Sequence, residues 1–484
     1  MDVSQYLSAA AYLDEKFRDD VLTQAFDKHR FLGPSYGVDV ASVVRHCLES
    51  LHMTRRRDQI LAGVLLVGIV TFPLIILWGM VAWLIAAIDT YRRRYVVVAG
   101  HLRKGSLVSA SDPKSMGRRY PGYEQRLSKL ADDQNVVVYS GYSPFVGSGH
   151  RLGAWSFAVN VQRAPESLGG ATGQAPIPFG TAEIHDYVAK TMSELRLDGL
   201  TVTDRLFVDG RNVSDNPRLV ENANGSAGEG DRNVLLENRF AEPRSKVADE
   251  LLREFIPAPT TSVRDYMDIK VVDWEGELIL STFVRFWQVG EYLFMETCFY
   301  LLPPLKESYH IVDNLNSKPT GRQMWQLAME SLRRTPALWL GSPYRVIRSL
   351  FARSIQERSE RDVVRAIREN RAFDYGAYTS IRQSGSASNY QKYFQVLDKE
   401  RSNKIVERHL LDAVVAFLED KGVDTSEFKQ RMEVLYNSGI AVFGGSFEAD
   451  NVNVGSQEQS FAQRLAGAAK SVASPGGSAA PSAG

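Results

Sequence analysis

The chain has 484 residues, 57 Lys and Arg against 57 Asp and Glu, two cysteines and 44 % hydrophobic residues. That length allows two or three domains with a sizeable core, and the ordinary apolar content excludes a largely disordered chain. Cys47 and Cys298 stand far apart, which excludes a disulfide framework and a cysteine zinc cluster and suits a reducing compartment.

The even charge is not evenly spread. Acids outnumber bases across residues 182–312, whereas 318–371 is basic, so the two regions either pair with each other or face a charged partner. Residues 1–58 begin as amphipathic helix. "SQYLSAAAYLDEKFRDDVLTQAFDKH" sets Tyr6, Leu7, Ala10, Leu13, Phe17, Val21 and Phe26 near one face, unlike a secretory leader, which starts basic and turns apolar at once.

Residues 59–94 carry the strongest signal. From Ile60 to Ile88, 29 consecutive residues are uncharged, with Arg55, Arg56 and Arg57 before them and Arg92, Arg93 and Arg94 after. One straight helix of that length runs about 43 Å against a hydrocarbon core of about 30 Å, while two arms split at Pro73 run only about 20 Å each. Length therefore leaves both forms open. Arginines at both ends favour a hairpin with both ends on the cytoplasmic side over one kinked pass. Trp78, just after the turn, and Trp83 are the aromatic residues expected at or near a membrane interface. Against the hairpin, "VTFPLI" offers only Thr71 to satisfy backbone groups exposed by a turn.

The body that follows reads as α+β, over residues 95–310. "RRYVVVAG" starts as a strand; "NVVVYSG" (135–141) and "GAWSFAVNV" (153–161) read as two strands joined by a Gly/Ser-rich hairpin loop. Gly147, Gly149 and Gly153 in that loop do not open a helix, so the dinucleotide-binding pattern is incomplete. A helix at about 181–196, a strand pair around "LTVTDRLFVDG", a mobile excursion at 212–232 and a short helix "SKVADELLREFI" follow. Residues 267–304 predict a three-stranded antiparallel meander with turns at Glu275-Gly276 and Val289-Gly290. Within it, Arg285 and Glu296 are expected to point to solvent.

Residues 311–436 read as helical and basic. Along "YRVIRSLFARSIQERSERDVVRAIRENR", Arg345, Arg348 and Arg353 are the candidates for contact with anionic lipid headgroups or a partner, the alternative being paired charges on a solvated face. Two further helices fill 390–436. Residues 437–470 hold a β-forming segment and a short helix, and 471–484 read as a disordered tail. In "GIAVFGGSFEADNVNVG", Ile440, Val442, Phe443, Phe447, Val452 and Val454 are candidate self-assembly residues. The segment is too small to stand alone, so it either covers an edge of the chain's own sheet or stacks on another copy. It resembles the short Gly/Asn-rich, strand-forming motifs at the ends of bacterial amyloid-signalling and defence proteins. The resemblance rests on "GIAVFGG" and "NVNVG", and the segment departs from it in carrying Glu448 and Asp450 and in preceding a further helix.

No phosphate-binding glycine loop, nucleophile elbow or His-Glu-x-x-His motif occurs, and the eight histidines are scattered. His46 and Cys47 are adjacent on one helix and point apart. His185 in "EIHDY" has carboxylate neighbours of a kind common on solvated helix faces. No catalytic, cofactor-binding or metal-ligating residue is assigned, no cofactor is expected, and nothing accompanies the arginines that would read nucleic acid. The sequence reads as a membrane-anchored α+β protein of the bacterial inner membrane or its equivalent, with its body cytoplasmic. Its partners are the lipid bilayer and a second copy of itself. The expected role is interaction or signalling rather than catalysis; the alternative is an enzyme or ligand sensor with a site on the central sheet, near Tyr139, Trp155, Trp274 and Trp287.

Overall fold

The computed structural model describes residues 3–102, 134–165, 175–216, 219–220, 235–257, 260–315, 319–369 and 373–438; the side chains of residues 215, 352–356 and 434–438 lie outside that description. The six residues named for self-assembly, Ile440 to Val454, also lie outside it.

The N-terminal helices α1 (Val3–Leu13) and α2 (Glu15–Phe26) are separated at Asp14, whose carboxylate accepts from the Lys16 and Phe17 backbone N–H groups and caps α2. Helix α3 (Val40–Val70) starts in the N-terminal core and runs out through the apolar segment. A 3-10 turn, Phe72–Leu74, leads into α4 (Ile75–Tyr91), which packs back against α3. The apolar segment is thus a helical hairpin. Beyond α4 the chain stays helical, as a π-helix over Arg92–Val98, where the β-branched run had predicted a strand. Tertiary packing overrides the propensity: Tyr95, Val98 and Leu102 are buried in a core with α1, α2 and the start of α3.

Six strands form one sheet: β1 (Val136–Tyr139), β2 (His150–Asn160), β3 (Leu200–Asp209), β4 (Val263–Asp273), β5 (Leu278–Val289) and β6 (Tyr292–Leu302). Their order is β1-β3-β4-β5-β6-β2, with β1 and β3 parallel and the other pairs antiparallel. The meander β4–β6 forms where the turn signals placed it. The expected hairpin of β1 with β2 does not: the two strands occupy opposite edges, because the Gly147–Gly149 loop crosses the sheet. Gly149 has a left-handed φ of +84°, and a Cβ there would collide with the Leu301 carbonyl on β6. "LTVTDRLFVDG" is likewise one strand, β3, rather than a pair. The excursion at 212–232 begins anchored, since Val213 and Leu219 are fully buried.

One face of the sheet, around Phe207, Tyr266 and Phe283, packs on α6 (Asp249–Phe255) and on Phe145. The other packs on α5 (Thr181–Ser193) and α10 (Tyr393–Asp420) through Ile184, Val188, Val406, Leu410 and Phe417. Covered on both faces, β4 and β5 are buried along nearly their whole length. Three helices lie between these layers in sequence. Helix α7 (Gly321–Leu340) packs on α4, α8 (Ser342–Leu350) packs on α3, and α9 (Ala352–Glu369) follows. The described chain ends with α11 (Ser426–Ser438).

Candidate functional site

The two arms of the hairpin are tied together at their base by charge. Arg57 on α3 lies 3.4 Å from Asp89 at the end of α4, and Arg93 donates to the same Asp89 oxygen at 2.9 Å. Asp58 accepts from Arg57 at 3.1 Å and from Arg345 of α8 at 2.8 Å. Arg93 also donates to Thr54 at 2.9 Å, which accepts from Arg18 of α2 at 2.8 Å. Arg94 forms a two-pronged pair with Glu330 of α7 at 2.7 and 2.9 Å. Helices α3, α4 and α8 and the N-terminal bundle therefore share one ion network, and the Arg94–Glu330 pair ties α7 on beside it. The π-helix contributes by aiming both Arg93 and Arg94 inward from adjacent positions.

The two arginine triplets divide by role. Arg57, Arg93 and Arg94 turn inward, whereas Arg55, Arg56 and Arg92 are exposed. Arg56 and Arg92 share a groove of about 380 Å³ with Ile60, Ile85, Ile88 and Val96, and the acids Glu49 and Asp89 also line it. A second crevice, of about 540 Å³, opens between α1, α4 and α7 over Asp89, Arg93 and Arg334.

At the other end, the turn closes on itself. Thr71 Oγ1 donates to the Val67 carbonyl at 2.8 Å and accepts from the Trp78 indole at 2.8 Å. The Thr71 and Leu74 backbone N–H groups reach Val67 and Thr71 carbonyls, both at 2.9 Å. Thr71 thus supplies more than its single hydroxyl suggested. Pro73 sits in the 3-10 turn, and a Cβ at Gly68 would lie 3.3 Å from that of Trp78, so the glycine leaves room for the Trp78 side chain. Trp83 points elsewhere, donating to the Ala328 carbonyl of α7 at 3.1 Å.

Around this turn the surface is apolar. Ile69, Val70, Phe72, Ile76 and Leu77 are 52–80 % exposed, and Leu340, Tyr344, Ile347, Leu350 and Phe351 extend the apolar surface onto α7 and α8. One helix, Phe72–His101, is long and apolar enough to cross a membrane, with a mean hydropathy of 2.0 and only 11 % of its apolar window buried. Of the three arginines assigned to lipid or partner contact, Arg345 is held by Asp58, Arg348 is exposed, and the Arg353 side chain lies outside the described residues.

The sheet carries charge that the sequence reading placed in solvent. His185 is buried and lies 3.2 Å from Asp204 on β3, a partner 19 positions away. Burial pushes its pKa down, but the hydrogen bond to Asp204 and the charges of Asp204, Asp265 and Asp186 together outweigh it and raise the pKa, and burial raises that of nearby Asp265 to about 6. Under the opposite face, Asp268 accepts from Arg205 at 2.7 Å and Lys270 at 3.0 Å, and the Lys270 ammonium sits 3.4 Å above the Tyr36 ring. Arg285 is 5 % exposed, a second correction. Alternation along an antiparallel strand signals solvent only when one face is open, and here both are covered. Trp155 donates to Glu407 and Trp274 to Asp398, while Tyr139 bridges to Ala377, so these aromatic residues and Trp287 serve separate contacts. Cys47 is fully buried and its thiol is pushed up, and His46 meets Tyr12 at 3.0 Å, so neither is poised as nucleophile and base. Among the described residues no cluster of His, Cys, Asp and Glu could hold a metal ion.

These features define an α+β protein with a mixed six-stranded sheet, bearing a charge-clamped apolar hairpin. The sequence model of the AbeC-like domain matches residues 154–450, more than half of the chain. The chain belongs to the AbeC-like family, a bacterial abortive-infection family. The match runs from β2 through α11 and ends at residue 450, beyond the described residues, leaving the hairpin outside it. No curated protein and no solved structure matches the chain.

Proposed function

We propose that this protein is a membrane-tethered bacterial defence protein, in which the hairpin inserts from the cytoplasmic side and the AbeC-like domain works at the membrane surface. The observation that carries the reading is the hairpin itself. Its tip is apolar and exposed, its turn satisfies its own polar groups, and both ends return to one charged base. Hydrocarbon demands internal satisfaction of backbone groups, and the positive-inside rule favours the common side for both ends. From Ile75 to Ile88, α4 spans about 20 Å, so the tip turns within a core of about 30 Å. Helices α7 and α8 lie along the interface, with Arg55, Arg56, Arg92 and Arg348 at headgroup level. The groove at Arg56 and Arg92 suits an anionic phospholipid, head to the arginines and chain along Ile60, Ile85 and Ile88. Signalling in this reading runs through assembly of copies by residues 439–455.

The test is accessibility. In membrane vesicles, a thiol introduced by Phe72→Cys should resist a membrane-impermeant maleimide from both sides, while one introduced by Arg55→Cys should react only from the cytoplasmic side. Labelling of Phe72→Cys from the opposite side would establish a single pass. Recovery of the intact protein in the soluble fraction after alkaline extraction would end the membrane reading.

A further inference from the structure

Beside the membrane question stands a second site, on the AbeC-like domain's sheet. A cavity of about 310 Å³ opens at the ends of β4–β6, lined by Thr260, Thr261, Arg264, Arg285, Trp287 and Glu296. That volume suits one small molecule. Arg285 forms its floor. The guanidinium carbon lies 5.9 Å from the Tyr266 ring centre and 5.1 Å from that of Trp287, and Trp287 in turn stacks on Phe294 at 5.2 Å with planes 10° apart. The aromatic contacts fix the side chain in place before any ligand arrives.

The Asp265 carboxylate lies near enough to feel the charge of Arg285, but one donor of the guanidinium lacks an acceptor. Arg285 is 5 % exposed, and its Nε has no hydrogen-bond partner among the described residues. The other buried arginines there all reach one: Arg18 on Thr54, Arg57 on Asp58, Arg93 on Asp89, Arg205 on Asp268 and Arg382 on the Pro303 carbonyl. Glu296 sits directly opposite Arg285 in the β5–β6 ladder, yet the two form no ion pair within 4.0 Å. A buried guanidinium held by aromatic rings beside a cavity, with an unpaired and buried Nε, is costly to keep unless something compensates it.

We propose that this cavity binds a small oxyanion, a phosphate or carboxylate group, with Arg285 as the preset donor and exposed Arg264 as the second cation. Thr261 adds a hydroxyl donor at the rim. Glu296 on the far wall accepts from a hydroxyl or ammonium group on the same molecule. The ligand class is therefore a small anionic metabolite that also carries a hydrogen-bond donor a few ångströms from its anionic group. Both rings flanking Arg285 are already engaged, Trp287 by Phe294 and Tyr266 by Phe145 and Phe207, so the site recognises charge rather than stacking a base. This reading is independent of the membrane hairpin and stands or falls on its own.

The experiment is titration calorimetry on the full-length protein in mild detergent, with inorganic phosphate and O-phosphoserine as probes and sodium chloride as the ionic-strength control. Both probes should saturate one site, with O-phosphoserine at least tenfold tighter because Glu296 receives its ammonium. Arg264→Ala, an exposed change that leaves the fold intact, should weaken both probes about tenfold, equivalent to about 1.4 kcal/mol. Arg285→Gln should abolish both, and Glu296→Gln should remove only the advantage of O-phosphoserine. The proposal is overturned if neither probe gives saturable heat, or if binding survives Arg264→Ala and Arg285→Gln unchanged. Equal loss for both probes in Glu296→Gln would overturn the assignment of the far wall.

Discussion

Asp58 is the residue on which the base of the hairpin turns. Among the described residues it is the one carboxylate that pairs with Arg345 from α8, and it also accepts from buried Arg57. Arg57 keeps Asp89 as a partner and Arg345 is partly exposed, so Asp58→Asn should cost about 1–3 kcal/mol in chemical denaturation, whereas Arg55→Gln at an exposed position should stay within about 0.5 kcal/mol. His46 adds a pH response. Burial lowers its pKa to about 4, and its Nε2 has no partner among the described residues. Between pH 6.5 and 4 the unfolded chain takes up a proton there that the native chain refuses. This group's contribution is therefore present above pH 6.5 and lost as pH falls toward 4, a span of about 3 kcal/mol. Denaturant midpoints measured across that range should flatten in His46→Gln. An unchanged slope would mean the imidazole is not held neutral. The residue types at the base were readable as an arginine-flanked segment, but which arginine turns inward was not. That choice depends on helix phase and on Asp89, Thr54 and Glu330, partners set by the packing of separate helices.

At the scale of elements, the hairpin turn shows how a short apolar sequence avoids leaving polar groups bare. Thr71 caps α3 and receives the Trp78 indole, so the side chain expected near an interface also closes the turn. Trp78→Phe removes that donor and should lower stability by about 1 kcal/mol; Thr71→Val should cost a similar amount, and the pair should be less than additive. A double-mutant cycle on thermal unfolding in detergent checks this, and full additivity would show that the contact does not form. The segment after α4 went the other way. Val96, Val97 and Val98 favour a strand locally, yet the helix continues through them because Val98 and Tyr95 complete the N-terminal core. Strand β2 misled for a related reason: proximity in sequence suggested pairing with β1, but its ten-residue match is to β6. Two adjacent strands can be distant in a sheet whenever the connecting loop crosses it.

For the whole molecule, the distribution of exposed apolar surface sets the expectation. It is concentrated on α3, α4, α7 and α8, four helices joined by Arg57–Asp89, Arg345–Asp58 and Arg94–Glu330. A charge placed at the tip, as in Ile76→Asp, should cost about 2.5–3.5 kcal/mol of insertion and move protein out of the alkali-resistant membrane fraction. Retention there would locate anchoring elsewhere in the chain. Assembly is tested separately. Light scattering across a concentration series should show large assemblies of the intact protein and a single small species for a chain lacking residues 439–455. Equal size with a lowered melting temperature in the deletion would assign the segment to the chain's own sheet.

The sequence by itself determined the apolar segment, its arginine borders, the meander β4–β6 and the long C-terminal helices. Each is written in local periodicity, in turn residues or in an uninterrupted run of one chemistry. Only the tertiary structure decided the edge positions of β1 and β2, the burial of His185 and Arg285, and the division of six arginines into clamps and exposed cations. Those depend on which surfaces meet across hundreds of residues. A charged side chain reads the same in sequence whether it faces water, a carboxylate brought from another helix, or an aromatic pocket that no single segment contains.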